Sequence, residues 1–126
     1  MMIRMATLVA VLMLVASTAE ANTLRGHEEY LRYCSACHGA EADGKGPVAN
    51  VLTPPPPALT RLRSKFGHPL GTRFVAYVLG TTMPRAHGTS DMPVWGRNLA
   101  DEDGSDGEAV GLIWRIANYL QSIQKR

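Results

Sequence analysis

The stretch Cys-Ser-Ala-Cys-His at residues 34–38 constrains this chain more than any other feature of its sequence. Cys34 and Cys37 are the only two cysteines among 126 residues, and His38 follows the second one directly. Two thiols and an imidazole this close together indicate a disulfide, a redox dithiol, part of a zinc site or the attachment point of a cofactor. The rest of the sequence distinguishes among these four roles.

The N-terminus is typical of an exported protein. Arg4 is followed by an apolar run over residues 5–16 and then by the small-x-small sequence Ala19-Glu20-Ala21. The run is shorter than the roughly 20 residues that a membrane span needs. We therefore expect a signal peptide at residues 1–21, a single domain at residues 22–126 and a location in the periplasm. An uncleaved N-terminal anchor is the alternative.

The composition of the mature region excludes some partners and demands an internal support. Loss of Arg4 and Glu20 takes the basic residues from 13 to 12 and the acidic ones from 11 to 10, so the net charge stays +2. Nothing in that balance indicates a nucleic acid partner. With 8 prolines and 12 glycines in the whole chain, the domain is small and rich in loops. Such a domain needs a disulfide, a metal or another prop.

The sequence predicts an all-α domain of three to four helices joined by long loops. The clearest helix lies at the C-terminus, where Ser105 and Glu108 fit a capping box and apolar residues recur at helical spacing. Those residues are Ala109, Leu112, Ile113, Ile116, Ala117, Leu120 and Ile123. Further helices are expected over residues 23–34, from Pro69 to Gly80 and, more weakly, over residues 59–66. The four prolines at residues 54–57 predict an extended segment, and no stretch alternates as a strand does.

These features favour one interpretation of the Cys-x-x-Cys-His segment. Two cysteines this close enclose too small a loop for a useful disulfide, and a thioredoxin-like pair would need strands. A zinc site would need a fourth ligand and better spacing. The spacing is instead typical of covalent haem c attachment, with Cys34 and Cys37 bonded to the vinyl groups and His38 bound to the iron. We expect one haem per chain, and the loops would pack on it.

The second ligand of the iron would come from a methionine or a histidine. Only Met83 and Met92 remain in the mature region, and both precede a proline. Spacing alone slightly favours Met92, with Trp95 three residues later as a wall of the pocket. The other histidines, His27, His68 and His87, are weaker alternatives.

With these residues in place, the mature region resembles the class I c-type cytochromes of bacteria, which are small monohaem electron carriers. The resemblance rests on CSACHG at residues 34–39, GKGP at residues 44–47 and DMPVWG at residues 91–96. It implies a small cytochrome c fold wrapped around the haem, with Met92 rather than Met83 as the second ligand. It also implies that the Pro47 carbonyl accepts a hydrogen bond from His38.

The resemblance further implies a crossing of the first and last helices, with Gly26 and Tyr30 on one and Trp114 and Tyr119 on the other. The proline-rich loop and an acidic insertion at residues 98–108 depart from the simplest family pattern. These departures put the transfer of any specific partner in doubt.

The expected function is the transfer of single electrons between redox proteins, with no catalysis and no small-molecule substrate. A fixed subunit of a dehydrogenase or oxidase complex, associated with the membrane, is one alternative. A haem enzyme with an open iron site, using His87 and Arg85, is another. Basic residues beside the proline loop would steer an acidic partner or serve as ordinary solvated charges. They are Lys45, Arg61, Arg63 and Lys65.

Overall fold

The computed structural model of the chain describes residues 2–81, 99 and 106–125. Within these residues the regular structure is entirely helical, which agrees with the predicted all-α class. Three helices have eight residues or more: α1 (Met2–Tyr33), α4 (Thr72–Leu79) and α5 (Asp106–Ser122). Two are single turns, α2 (Ser35–His38) and α3 (Arg63–Phe66). Short 3-10 turns cover Ala49–Val51 and Leu59–Arg61.

Helix α1 unites two segments that the sequence analysis treated separately. One continuous helix runs from Met2 to Tyr33. It covers residues 2–21 of the predicted signal peptide and all but the last residue of the helix predicted over residues 23–34. No proline interrupts the chain before Pro47, so nothing in the sequence forces a break there. In the part of the chain that the structure describes, no helix is both long enough and apolar enough to cross a membrane.

Helices α1 and α5 cross at close range, as predicted. A Cβ atom at Gly26 would overlap the carbonyl oxygen of Arg115, so only glycine lets the two backbones approach this far. Tyr119 of α5 packs on α1, with its ring centroid 5.3 Å from that of Tyr30 and 4.6 Å from that of His27. An ion pair joins Arg115 to Glu29 beside the crossing, with the guanidinium on both carboxylate oxygens.

The core forms where α5 meets α1 and α4, because the apolar stripe of α5 faces both helices. Six of its seven predicted positions are buried, and Ile123, just after the helix end, is partly buried. The buried apolar side chains are Tyr30, Ala42, Leu62, Leu70, Phe74, Val75, Leu99, Ala109, Leu112, Ile113, Ile116, Ala117 and Leu120. The Ser105 half of the expected capping box lies outside the described residues.

Helix α4 begins later than predicted. The sequence placed Pro69 in its first turn, but the helix starts at Thr72, after Gly71 in an extended conformation. The amide of Leu70 donates instead to the side-chain oxygen of Gln121 on α5, at 2.8 Å. The predicted end is confirmed, because Gly80 adopts a left-handed conformation with φ of 80°.

The residues that follow α5 hold the segment that leads from the proline loop to α3. Gln124 accepts a hydrogen bond from the Leu62 amide and donates one to the Leu59 carbonyl, both at 2.7 Å. The Lys125 amide donates to the Thr60 carbonyl at 2.8 Å. These bonds fasten the proline loop at its C-terminal side, and so they help to position the residues that approach His38.

Candidate functional site

Cys34, Cys37 and His38 lie on one helical turn directly after α1. The Cys34 amide donates to the Tyr30 carbonyl at 2.9 Å, and the His38 amide donates to the Cys34 carbonyl at 3.0 Å. The hydroxyl of Ser35 reaches back to the Leu31 carbonyl at 2.6 Å. Residues three and four apart share one side of such a turn, so Cys34, Cys37 and His38 occupy neighbouring positions on it.

Both cysteines are free thiols and both are partly buried. Burial raises the pKa of Cys34 to about 12, with a smaller contribution from the neighbouring Cys37. The Cys34 thiol is therefore protonated at neutral pH. Among the described residues, no group of three or more His, Cys, Asp or Glu side chains could hold such an ion.

The buried imidazole of His38 is oriented by the proline loop. Its Nδ1 lies 3.0 Å from the carbonyl oxygen of Pro57. The prediction that Pro47 supplies this carbonyl is wrong, because the last residue of the four-proline run occupies that place. Since a carbonyl can only accept, Nδ1 carries the proton.

This tautomer leaves the lone pair of His38 on Nε2 when the ring is neutral. Burial lowers the pKa of His38, and the hydrogen bond to the Pro57 carbonyl opposes part of that shift. The side chain is therefore neutral at neutral pH. It has the form that binds a metal ion through Nε2, with Nδ1 held by a backbone carbonyl.

A glycine-rich loop holds the Cys-x-x-Cys-His turn by donating hydrogen bonds to the main-chain carbonyls of the turn. The amides of Val48, Gly46 and Gly44 donate to three consecutive carbonyls, those of residues 36, 37 and 38, at 3.1, 3.1 and 2.8 Å. A Cβ at Gly46 would overlap the Ala36 carbonyl oxygen, so the close approach requires glycine at this position. The GKGP segment at residues 44–47 therefore acts here as a clamp on the Cys-x-x-Cys-His turn.

Tyr30 ties the same turn to the helix crossing. Its hydroxyl donates to the Gly39 carbonyl at 2.6 Å, and its side chain is fully buried. Burial is the main cause that raises the pKa of Tyr30 above its ordinary value. The position of the turn is thus coupled to the packing of α1 against α5.

The donor set fits a covalently attached haem. Two thiols stand next to a histidine whose Nδ1 is held by a backbone carbonyl, and this tautomer has its lone pair on Nε2, the atom that would bind iron. The 3-10 turn Ala49–Val51 packs against α2, and it places apolar side chains beside the site. Val48 is 39% exposed and Val51 is 75% exposed.

The remaining candidate residues are only partly placed. Met92, its fallback Met83 and the pocket residue Trp95 lie outside the described residues, as do His87 and Arg85 of the open-site alternative. Of the other histidines, His27 stacks on the Tyr119 ring. His68 lies elsewhere, with its Nδ1 2.6 Å from the side-chain amide of Gln121.

The structure adds residues that sequence reasoning missed. The Pro57 carbonyl carried no signal of its own, because backbone acceptors do not depend on residue type. Gln121, Gln124 and the Arg115–Glu29 pair read as ordinary surface polar residues on the helices. Their positions at the edge of the apolar stripe were the one available hint.

No family model, curated protein or solved structure matches this chain. The residues and geometry described above therefore have to support any functional assignment.

Proposed function

We propose that the chain is an exported monohaem c-type cytochrome that carries single electrons between redox proteins. The observation that carries the proposal is the turn at residues 34–38. It combines two free thiols with a histidine whose Nδ1–H is held by the Pro57 carbonyl, which leaves Nε2 for iron. This combination suits haem attachment better than it suits a disulfide, a bare metal site or a redox dithiol.

Cys34 and Cys37 would hold the haem by two thioether bonds. Each thiol would be joined to one vinyl group of the haem by a carbon–sulfur bond, and its hydrogen would go to the other vinyl carbon. No oxidant or reductant would be consumed, but both thiols would have to be reduced.

His38 would bind the iron through Nε2, and Met92 would complete the coordination, with Met83 as the fallback. Bound haem would supply an Fe(III)/Fe(II) couple that takes up and releases one electron. The residues of the chain would set its potential through the His38 hydrogen bond, the thioether ligand and the apolar surroundings. Val48 and Val51 would cover part of the haem, together with the expected pocket residues Pro47 and Trp95.

The partners would be redox proteins. The chain would meet them either as a free carrier or as a subunit of a membrane-associated complex. Of the four basic residues beside the proline loop, Lys65 is engaged with the Tyr77 hydroxyl at 3.0 Å and lies over its ring. Arg61 is exposed and suited to steer an acidic partner. Gel filtration of the native protein separates the two arrangements, because only a complex subunit would elute well ahead of its own mass.

Visible absorption of the holoprotein tests the proposal. We expect a low-spin haem c spectrum in both oxidation states and the weak long-wavelength band of iron–methionine ligation in the oxidised state. The variants Met92→Ala and Met83→Ala assign the ligand. Loss of the band only in Met92→Ala supports the His38/Met92 pair, and loss only in Met83→Ala moves the ligand to residue 83.

Two results would contradict the carrier function. A protein without haem would remove the basis of the proposal altogether. A haem spectrum that lacks the methionine band and changes on addition of cyanide or peroxide would favour an enzyme with an open iron site.

A further inference from the structure

The four-proline run supplies the backbone carbonyl that orients His38, and what holds that run in place is a separate question. Proline has no amide donor and its ring fixes φ, so Pro54–Pro57 presents carbonyl acceptors on a stiff segment. One of these, the Pro57 carbonyl, is the partner of His38 Nδ1. We propose that Gly44 is a positioning residue that holds this run against His38 and sets the length of the hydrogen bond. The inference rests on the proposed function.

Gly44 contacts both sides of the His38 hydrogen bond. Its amide donates to the main-chain carbonyl of His38 at 2.8 Å. A Cβ at Gly44 would lie 2.5 Å from the Pro56 carbonyl oxygen and 3.2 Å from the Pro57 carbonyl carbon. Any side chain at residue 44 would therefore push the proline segment away from His38, because the atoms that it meets belong to the backbone.

A second contact holds the chain just after Pro57. The amide of Leu59 donates to the Ala42 carbonyl at 2.7 Å, so the segment is tied to the same loop on both sides of Pro57. The loop itself is held by Asp43, whose side-chain oxygen accepts from the Lys45 amide at 2.9 Å. The distance between Nδ1 and the Pro57 oxygen is thus set by residues 42–45, and not by the histidine alone.

The length of this hydrogen bond bears on the redox equilibrium. A carbonyl that accepts from Nδ1–H makes the imidazole a stronger electron donor at Nε2, which favours the more highly charged Fe(III) state. Displacement of the proline segment weakens the hydrogen bond and shifts the equilibrium toward Fe(II). The reduction potential then rises. Gly44 and Pro57 act through His38 and do not themselves contact the iron.

The test compares Gly44→Ala with Gly67→Ala in the holoprotein. The two glycines have nearly the same backbone strain, with φ of 82° and 87°. They differ in their surroundings, since a Cβ at Gly67 would meet no described atom within 4 Å. Both variants lose stability from the positive φ, but only Gly44→Ala also disturbs the proline segment.

The expected result is a rise in the reduction potential of Gly44→Ala alone. Only the difference in the strength of this hydrogen bond between the two oxidation states shifts the equilibrium, so the whole strength of an ordinary hydrogen bond sets an upper limit of about threefold to tenfold in the Fe(II):Fe(III) ratio at fixed potential. A tenfold change equals about 59 mV for one electron. The proton resonance of His38 Nδ1–H should shift in Gly44→Ala and stay in place in Gly67→Ala. Equal potentials in the two variants would overturn the inference.

A further variant serves if Gly44→Ala does not fold. Pro57→Gly keeps the carbonyl but removes the ring that fixes the backbone, so the potential should rise again, and an unchanged potential would overturn the inference. Failure of the proposed function looks different. A wild-type protein that contains no haem refutes both proposals, whereas a haem protein with no difference between the glycine variants refutes only this one.

Discussion

Replacement of Gly26 by alanine tests the helix crossing on which the whole fold depends. Two opposing effects determine the outcome. Alanine is a better helix former than glycine by about 1 kcal/mol, which by itself would stabilise α1. Against this, the new methyl group would overlap the Arg115 carbonyl oxygen. Because that atom belongs to the backbone of α5, no change of rotamer relieves the overlap, and the helices must move apart.

Separation of the helices disturbs the best-packed part of the molecule. Tyr30, Ile113 and Ile116 are at most 3% exposed and lie close to the crossing. Overpacking of such a site costs about 1–3 kcal/mol, and the cost falls toward the upper end when backbone has to move. We therefore expect Gly26→Ala to lower the free energy of unfolding by about 1–2 kcal/mol after the helix propensity is subtracted.

Gly111→Ala on α5 is the matched control. A Cβ at Gly111 would meet only the guanidinium end of the Arg115 side chain, at 3.4 Å, which is an ordinary contact distance. This variant should gain up to about 1 kcal/mol, so that the two substitutions differ by about 2–3 kcal/mol. Urea unfolding of the holoprotein, followed by far-UV circular dichroism, measures both. If Gly26→Ala is stabilised as much as Gly111→Ala, the backbones do not touch at Gly26 and the crossing is wrongly described.

Three further predictions concern the hydrogen bonds around the site. Tyr30→Phe leaves the Gly39 carbonyl without its partner and should cost about 1–3 kcal/mol in urea unfolding; a cost near zero would show that the bond is replaced by water. Gln124→Ala removes a side chain that bonds three backbone groups and should cost about the same, whereas the exposed Lys125→Ala, as its control, should stay within about 0.5 kcal/mol. Equal effects of those two variants would contradict the fastening role of Gln124. Above about pH 10, the ordinary tyrosine pKa, the holoprotein should lose stability as the pH rises, and Tyr30→Phe should lose less.

The sign of that alkaline effect follows from burial. Burial raises the pKa of both Tyr30 and Tyr119 in the folded chain. The folded state therefore retains protons that the unfolded state gives up, and stability is complete below the unfolded pKa and declines above it. Unfolding midpoints in urea measured at pH 8 and at successively higher pH values give the slope. A flat profile would mean that the tyrosines are solvated.

The sequence allowed the helices to be predicted where local pattern and tertiary packing agree. The stripe on α5 is so regular that its burial followed from periodicity, and Gly80 ended α4 because a left-handed residue stops a helix there. The start of α4 was misplaced because Gln121, 51 residues away, takes the Leu70 amide. A contact between distant segments leaves no trace in the local pattern.

In the candidate site, too, the features that depend on local sequence could be predicted and the contacts between distant segments could not. Cys34, Cys37 and His38 could be selected from the sequence, because the chemistry depends on side chains at fixed spacing. The orienting carbonyl could not, since Pro47 and Pro57 offer the same backbone oxygen and only the folded loop decides between them. Gly44 was part of a recognised segment, but its contact with the proline run became visible only in three dimensions.

The most direct test of the account is the mass of the denatured protein, purified from the periplasm of a host that attaches haem to exported chains. The account predicts a chain heavier by one haem, which stays bound through acid denaturation because two thioether bonds hold it. Replacement of Cys34 and Cys37 together by alanine should return the mass to that of the polypeptide. A wild-type chain at the polypeptide mass, with two free thiols or one disulfide, would contradict the central claim.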